Sequence, residues 1–239
     1  MSLLFLLSAL LSEIIGTLAG FGSSTVFLPL ALLFFEFKSA LVLVAFLHVF
    51  GNLGRVSFFR HGLDRRLMIR FGLPSVILTL LGAALVAYLP QILLKGILGV
   101  FLIIYSALFM WRDDLHLRPT VANSVLGGGL SGFLAGLIGT GGALRGAFLT
   151  AFNLPKERYI ATAAAIAIAV DLTRIPVYLS QNFLDSSLYW YLPVLFILAI
   201  AGSFIGRRIL DKIPQKLFRR LVLAAILLVG LKFVLDMIS

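Results

Sequence analysis

Two arginines stand where a charge is costly. Arg55 lies in the apolar run AFLHVFGNLGRVSFF, and Arg174 lies in AIAVDLTRIPVYL. Each follows a polar residue by three positions, Asn52 and Asp171 respectively. An ionised side chain inside an apolar span is expensive and is retained where something uses it. A guanidinium presents a planar fork of donors that grips an oxyanion through two bonds at once. At one turn's distance Asp171 is placed to neutralise Arg174. Arg55 has Asn52 at that spacing instead of a carboxylate, so it is expected to remain available to an anionic ligand. The pair points to a pseudo-symmetric anion site.

A second set of residues lies at two glycine-rich breaks, Gly20-Phe-Gly22-Ser-Ser-Thr25 and Gly139-Thr-Gly-Gly142-Ala-Leu. Glycine lets the backbone leave helical geometry, and the helix that restarts after it begins with N–H groups that have no intrahelical acceptor. Such a start, with the positive end of the helix dipole, suits an anion. Gly22, Ser23, Ser24 and Thr25 in the first break, and Gly139, Thr140, Gly141 and Gly142 in the second, are therefore candidate ligand contacts. Gly16, Gly20, Gly132 and Gly136 read instead as small residues that let helices approach. Arg145, just after the second break, is either a third substrate contact or a snorkelling side chain. Glu13 is another buried charge, with three uses open to it: carrying a coupling proton, capping a neighbour, or pairing with an arginine. His48 lies two turns before Arg55 and reads as a packing histidine or a proton relay.

These residues need elements to position them. Arg174 follows Arg55 by 119 positions, and other landmarks recur in the same order. Gly16–Gly20 matches Gly132–Gly136, Lys38 matches Lys156, Pro74 matches Pro193, and Pro90-Gln91 matches Pro214-Gln215. The chain therefore reads as two copies, 1–111 and 121–239, joined by a polar linker at 112–120. The first copy has apolar segments at 3–20, 23–36, 39–59, 67–88 and 92–111, and the second at 121–138, 142–152, 157–180, 188–208 and 216–238. The segments 23–36 and 142–152 would be roughly 21 and 17 Å long as helices, against a hydrocarbon core of about 30 Å. Each is expected to form a hairpin with the segment before it, entering and leaving the membrane on one side. Three full crossings per copy then follow, and an odd number turns the second copy over relative to the first.

Composition sets the class. Of the 239 residues, 61% are hydrophobic and only 13% charged, and the mean hydropathy is +1.08. The apolar runs are long and lack the alternation of a membrane β-barrel. The expected fold is an all-α polytopic membrane protein made of two inverted repeats. The apolar start, MSLLFLLSALLSEIIG, has no basic region before it and reads as part of the mature fold. There is no cysteine, which excludes disulfides and thiolate chemistry, and the three histidines show no metal-ligand spacing. No cofactor or metal is expected. The formal charge of +10 resides in loops, chiefly Arg60–Arg70 and Arg207–Arg220. Basic loops between apolar spans indicate the cytoplasmic side and anionic lipid headgroups, not a nucleic-acid partner. With those loops inside, the region of Lys38, the loop at Lys95, Ser180–Ser187 and the N-terminus fall outside. Tyr189-Trp190-Tyr191 reads as an interfacial aromatic group.

The duplicated small-residue motif, Gly16–Thr25 and Gly132–Gly142, together with the repeat organisation and the size, resembles the sulfite exporter TauE/SafE family, also called the 4-toluene sulfonate uptake permease family. The resemblance extends over nearly the whole chain. It implies a carrier of sulfur-containing or organic anions, such as sulfite, sulfoacetate and related sulfonates, in the cytoplasmic membrane of a prokaryote. The first break departs from the second, with Ser-Ser-Thr against Thr-Gly-Gly, so the site is expected to be asymmetric. The expectation is a secondary transporter working by alternating access, with a proton or sodium as coupling ion and a homodimer as the assembly to test. An anion channel and a carrier of carboxylates are the alternatives. No G-x-x-x-x-G-K-[ST] phosphate loop is present, and no nucleophile or paired acid and base suggests an enzyme.

Overall fold

The computed structural model describes residues 2–19, 22–59, 62–111, 118–152, 154–209 and 215–238. Gly20 in the first break, Arg60, most of the linker at 112–120, Lys212 and Pro214 lie outside the described residues. The described residues form helices with no strand among them. In chain order they are α1 (Ser2–Ala19), α2 (Ser24–Ala31), α3 (Phe37–Phe59), α4 (Arg65–Tyr88), α5 (Gln91–Trp111), α6 (Val121–Ile138), α7 (Gly142–Ala151), α8 (Lys156–Ser180), α9 (Tyr191–Ile209) and α10 (Gln215–Ile238). Every segment expected from the sequence is a helix within a few residues of its expected ends, except that α2 stops at Ala31 and turns before α3. Six stretches among the described residues are long and apolar enough to cross a membrane: the greater part of α3 and α8, all of α4, α5 and α6, and Ser186–Ile209 containing α9. The protein is a multi-pass membrane protein.

The two short helices fold back on the helices before them. Phe5, near the start of α1, packs on Phe27 of α2 and on Phe34 and Phe35 beyond its end, with ring centroids 5.4, 5.9 and 4.8 Å away. A side chain on Gly127, early in α6, would run into Phe148, late in α7. With 8 and 10 residues, α2 and α7 extend roughly 12 and 15 Å, about half the hydrocarbon thickness. Both units are hairpins with one short arm.

The two halves interleave. α1 packs on α9, and its counterpart α6 packs on α4; α3 packs on α8, and α5 on α10. These principal contacts pair helices that correspond in chain order. The α4–α6 seam shows how the sequence permits this. Gly128, Gly132 and Gly136 recur every fourth residue on one face, and a Cβ on each would strike the carbonyl of Phe71, Ser75 and Thr79 in turn. In place of side chains, the Ser75 and Thr79 hydroxyls donate to the carbonyls of Gly128 (2.8 Å) and Gly132 (2.9 Å). Small residues and hydroxyls take over here because lipid provides no hydrophobic drive between helices. Pro74 lacks the N–H of an ordinary helix turn, and the turn before it widens to a π turn at Met68–Gly72.

Loop contacts sort the ends of the helices. The Ser39 hydroxyl, at the start of α3, donates to Phe183 O beyond the end of α8 (3.1 Å), and Phe37 N donates to Gln91 Oε1 (3.0 Å). At the other end, Asp64 N donates to Thr162 Oγ1 (3.0 Å), and Arg158 reaches Asp64 across 3.9 Å. α3 and α8 are therefore antiparallel. The Lys38, Gln91 and Phe183 regions share one side, and Asp64 shares the other with Arg158. Of the aromatic trio, Tyr189 and Trp190 are half exposed as expected for an interface. Tyr191 is not: it is buried at 8%, packed edge-on against Phe5 and Phe35.

Candidate functional site

The breaks meet. Thr25 Oγ1, in the first turn of α2, is 2.8 Å from Thr140 Oγ1, just before α7, and both residues are fully buried. The backbone turns on two left-handed glycines, Gly22 (φ 89°) and Gly139 (φ 74°), a conformation that costs other L-residues about 1–2 kcal/mol. Space also demands glycine there. A Cβ on Gly22 would stand 2.5 Å from His48 Nε2, and one on Gly139 would meet Leu41 and Leu28. Ser23 opens α2, its carbonyl accepting from Val26 N (3.1 Å) and Phe27 N (2.8 Å). Its buried hydroxyl has no hydrogen-bond partner. Gly141 is also held to glycine by packing. A Cβ there would collide with the Ser131 carbonyl, so the position serves the close approach of α7 to α6.

Arg55 is not the unpaired cation that its neighbours in sequence suggest. Its Nη2 pairs with Glu13 Oε1 on α1. Nη1 donates to Asn52 Oδ1 (2.7 Å), while Nε and Nη2 donate to Thr17 Oγ1 (3.3 and 3.0 Å). The Ser203 hydroxyl, from α9, donates to Glu13 Oε1 (3.0 Å). Gly51 and Gly202 leave room for this carboxylate, since a Cβ on either would overlap Glu13. Of the uses open to Glu13, pairing with an arginine is the one observed. The carboxylate was not visible at helical spacing because it comes from a different helix.

Arg174 is paired with Asp171 as its spacing implies, through Nε (2.9 Å) and Nη2 (2.8 Å) to Oδ1. Its Nη1 donates to the Ala135 carbonyl (2.8 Å), near the end of α6. The other aspartate oxygen, Oδ2, lies 2.8 Å from His48 Nδ1 on α3. His48 is thus half satisfied, for its buried Nε2 has no partner. Tyr178, one turn beyond Arg174, donates to the Gly136 carbonyl (2.5 Å) and seals the end of α6.

Arg145 is different from both. It is 4% exposed, which rules out snorkelling. Among the described residues no carboxylate stands within ion-pair distance of it, and its buried Nε lacks a hydrogen-bond partner. Tyr159, Asp171, Arg174 and Arg55 lie within its electrostatic reach. The buried charged side chains among the described residues are Glu13, Arg55, Arg145, Asp171 and Arg174. Three guanidiniums thus face two carboxylates, and the surplus positive charge belongs to Arg145.

Sequence reasoning found the charged residues and both breaks. It missed Thr17, Ser203 and Tyr178. Thr17 and Tyr178 carry a signal, each one turn beyond a charged residue on its own helix. Ser203 carries none, because its partner Glu13 is 190 positions away.

This arrangement of paired hairpins, touching breaks and buried arginines has relatives in sequence. A probable membrane transporter protein of Methanocaldococcus jannaschii is 26% identical over 237 residues, an alignment covering 90% of this chain and 88% of that protein. No solved structure matches the chain. The family model described as sulfite exporter TauE/SafE matches residues 4–233, from the first turn of α1 into α10, and the chain belongs to that family of membrane transporters.

Proposed function

We propose that this protein is a secondary carrier that moves a small sulfur-containing oxyanion, such as sulfite, sulfoacetate or a related organosulfonate, across the cytoplasmic membrane of a prokaryote. The observation that carries this reading is the guanidinium of Arg145, buried with no carboxylate within ion-pair distance among the described residues. A cation in such a place is stabilised by an anion that comes and goes, and a charge-assisted bond to a sulfur oxyanion supplies that partner. The Thr25 and Thr140 hydroxyls, which meet at 2.8 Å, and the unpartnered Ser23 hydroxyl bring hydroxyl groups to the breaks where α2 and α7 begin, and helix starts suit an anion. Arg55 and Arg174, each neutralised by a protein carboxylate, flank the anion and hold the walls of the site.

In this reading the halves are inverted repeats, the N-terminus is outside, and the side bearing Arg158 is cytoplasmic. The antiparallel course of α3 and α8 and the grouping of loop residues support it. Transport proceeds by alternating access, as one hairpin-bearing unit rocks against the other about the touching breaks. The chain carries out transport and no chemical conversion.

The test is uptake by liposomes containing the full chain, with sulfite, sulfoacetate, taurine and lactate as the panel. Saturable uptake and counterflow of a sulfur oxyanion are expected. Arg145→Gln should raise KM roughly tenfold to a hundredfold, the loss of a charge-assisted hydrogen bond worth about 1.5–3 kcal/mol. Wild-type transport by that variant, or preference for lactate, rejects the assignment.

A further inference from the structure

The carrier reading leaves a buried histidine nitrogen without a use. His48 is 2% exposed, in the middle of α3. Its Nδ1 meets Asp171 Oδ2 at 2.8 Å, while Asp171 Oδ1 accepts from Arg174. An aspartate so engaged is an acceptor only, so Nδ1 carries the proton and donates it. In the neutral ring Nε2 is then a bare lone pair. It is buried, has no hydrogen-bond partner, and faces the backbone turn at Gly22. Ser23, whose hydroxyl is likewise unpartnered, is the next residue of that turn.

We propose that His48 Nε2 is the proton-binding site of the carrier, taking up one proton with the anion and releasing it on the other side. This rests on the anion-carrier reading above. The proton adds to the Nε2 lone pair and leaves from the same atom, while the Nδ1–H bond to Asp171 persists throughout. Asp171 acts as the positioning residue that fixes the tautomer. The charge balance suits the role. With neutral His48 the described buried groups hold one surplus positive charge, matched by a monoanion. With protonated His48 they hold two, matched by an oxyanion that has lost its second proton.

The charged groups acting on His48 are Asp171 and Arg174 from α8 and Arg145 from α7. From α2 it meets the Gly22 turn. On α1, Glu13 is held by Arg55, and on α9, Ser203 is turned to Glu13. Glu13 also has a bare oxygen, Oε2, but Gly51 stands directly against that carboxylate, and its other oxygen is held by Arg55 and Ser203. The site occurs once per chain. The position 119 residues after His48 is Ala167, so the stoichiometry is one proton per cycle.

The experiment uses liposomes containing the full chain, radiolabelled sulfite as the probe, a trapped pH-sensitive dye, and a clamped membrane potential. Wild type is expected to move protons with sulfite and to accumulate it about tenfold per unit of pH difference, the ratio that one coupled proton supports. His48→Gln keeps a donor for Asp171 and cannot take a proton. It should lose pH-driven accumulation while counterflow persists at a rate reduced a few-fold. Accumulation by His48→Gln equal to wild type overturns the proposal. So does net sulfite uptake by wild type without proton movement, a measurement that needs no variant and leaves the carrier reading standing. Absence of sulfite counterflow in wild type overturns the carrier reading and the proton site together.

Discussion

Arg55 and Arg174 occupy equivalent positions in the two halves, yet each obtains its counter-charge in a different way. Arg174 takes it from its own helix, at Asp171 one turn earlier. Arg55 takes it from α1, at Glu13, and uses Asn52 where its twin uses Asp171. The two carboxylates thus stand on helices that do not correspond in chain order. With the register set by Gly16 and Gly132, the place of Glu13 in α6 is held by Gly129, whose missing side chain instead admits Leu78. The difference leaves each arginine paired but frees different atoms. In the second half Asp171 has an oxygen left to hold His48. In the first half the cluster is closed by Thr17 and Ser203. The two arginine clusters thus differ in their partners, so that one ties helices together and the other also presents a histidine to the break.

The largest effects should come from uncovering these arginines. Asp171→Ala strands Arg174 and releases His48, and Glu13→Ala strands Arg55. Removing one partner of a buried pair costs about 3–5 kcal/mol. Asp171→Ala is expected at or above the top of that range, because two partners lose their acceptor, and Glu13→Ala within it. Denaturation in detergent, followed by tryptophan fluorescence, reads both. Replacing Glu13 and Arg55 together by leucine should recover most of the loss, since no unpaired charge then remains. A cost below about 1 kcal/mol for Glu13→Ala would mean a solvated pair and would dissolve the contrast between the clusters.

How much of this was legible depends on distance along the chain. The helices were, because their apolar runs and proline and glycine boundaries are local. The breaks were, because a left-handed turn needs glycine at Gly22 and Gly139. The Asp171–Arg174 pair was, because helical geometry brings residues three apart together. The Glu13–Arg55 pair was not. Its members lie 42 positions apart, and only the packing of α1 on α3 and α9 joins them, so Arg55 looked unpaired. His48 and Asp171 are 123 positions apart and hid a contact between the halves. Arg145 was ambiguous for a related reason: a short helix after a break leads to headgroups or to the interior according to the fold of its hairpin.

Intermediate effects test the two turns against each other. Gly22→Ala and Gly139→Ala both force a left-handed L-residue, and each should cost about 1–2 kcal/mol for that alone. Their neighbours differ. Leu28 and Leu41, which face Gly139, are flexible ends that can move aside, while Gly22 faces the imidazole nitrogen of His48. Similar losses of stability are therefore expected, with sulfite uptake abolished in Gly22→Ala and largely kept in Gly139→Ala. Equal loss of transport in the two would show that the breaks serve alike.

The smallest effect concerns the hydroxyl pair through which the two breaks bond each other. Thr25→Val and Thr140→Val keep side-chain volume and remove one hydroxyl each. Either change leaves the opposite hydroxyl buried and unbonded, at a cost of about 1 kcal/mol. The double variant removes both and should cost less than the sum, by a coupling energy of about 0.5–1.5 kcal/mol in a double-mutant cycle. The same bond must open if the hairpins part during alternating access, so the double variant should also exchange sulfite faster than either single one. Additive costs would place the two hydroxyls on other partners and separate the breaks. Coupling without a change in exchange rate would make the contact a fixed pivot, on which both arginine clusters turn without parting.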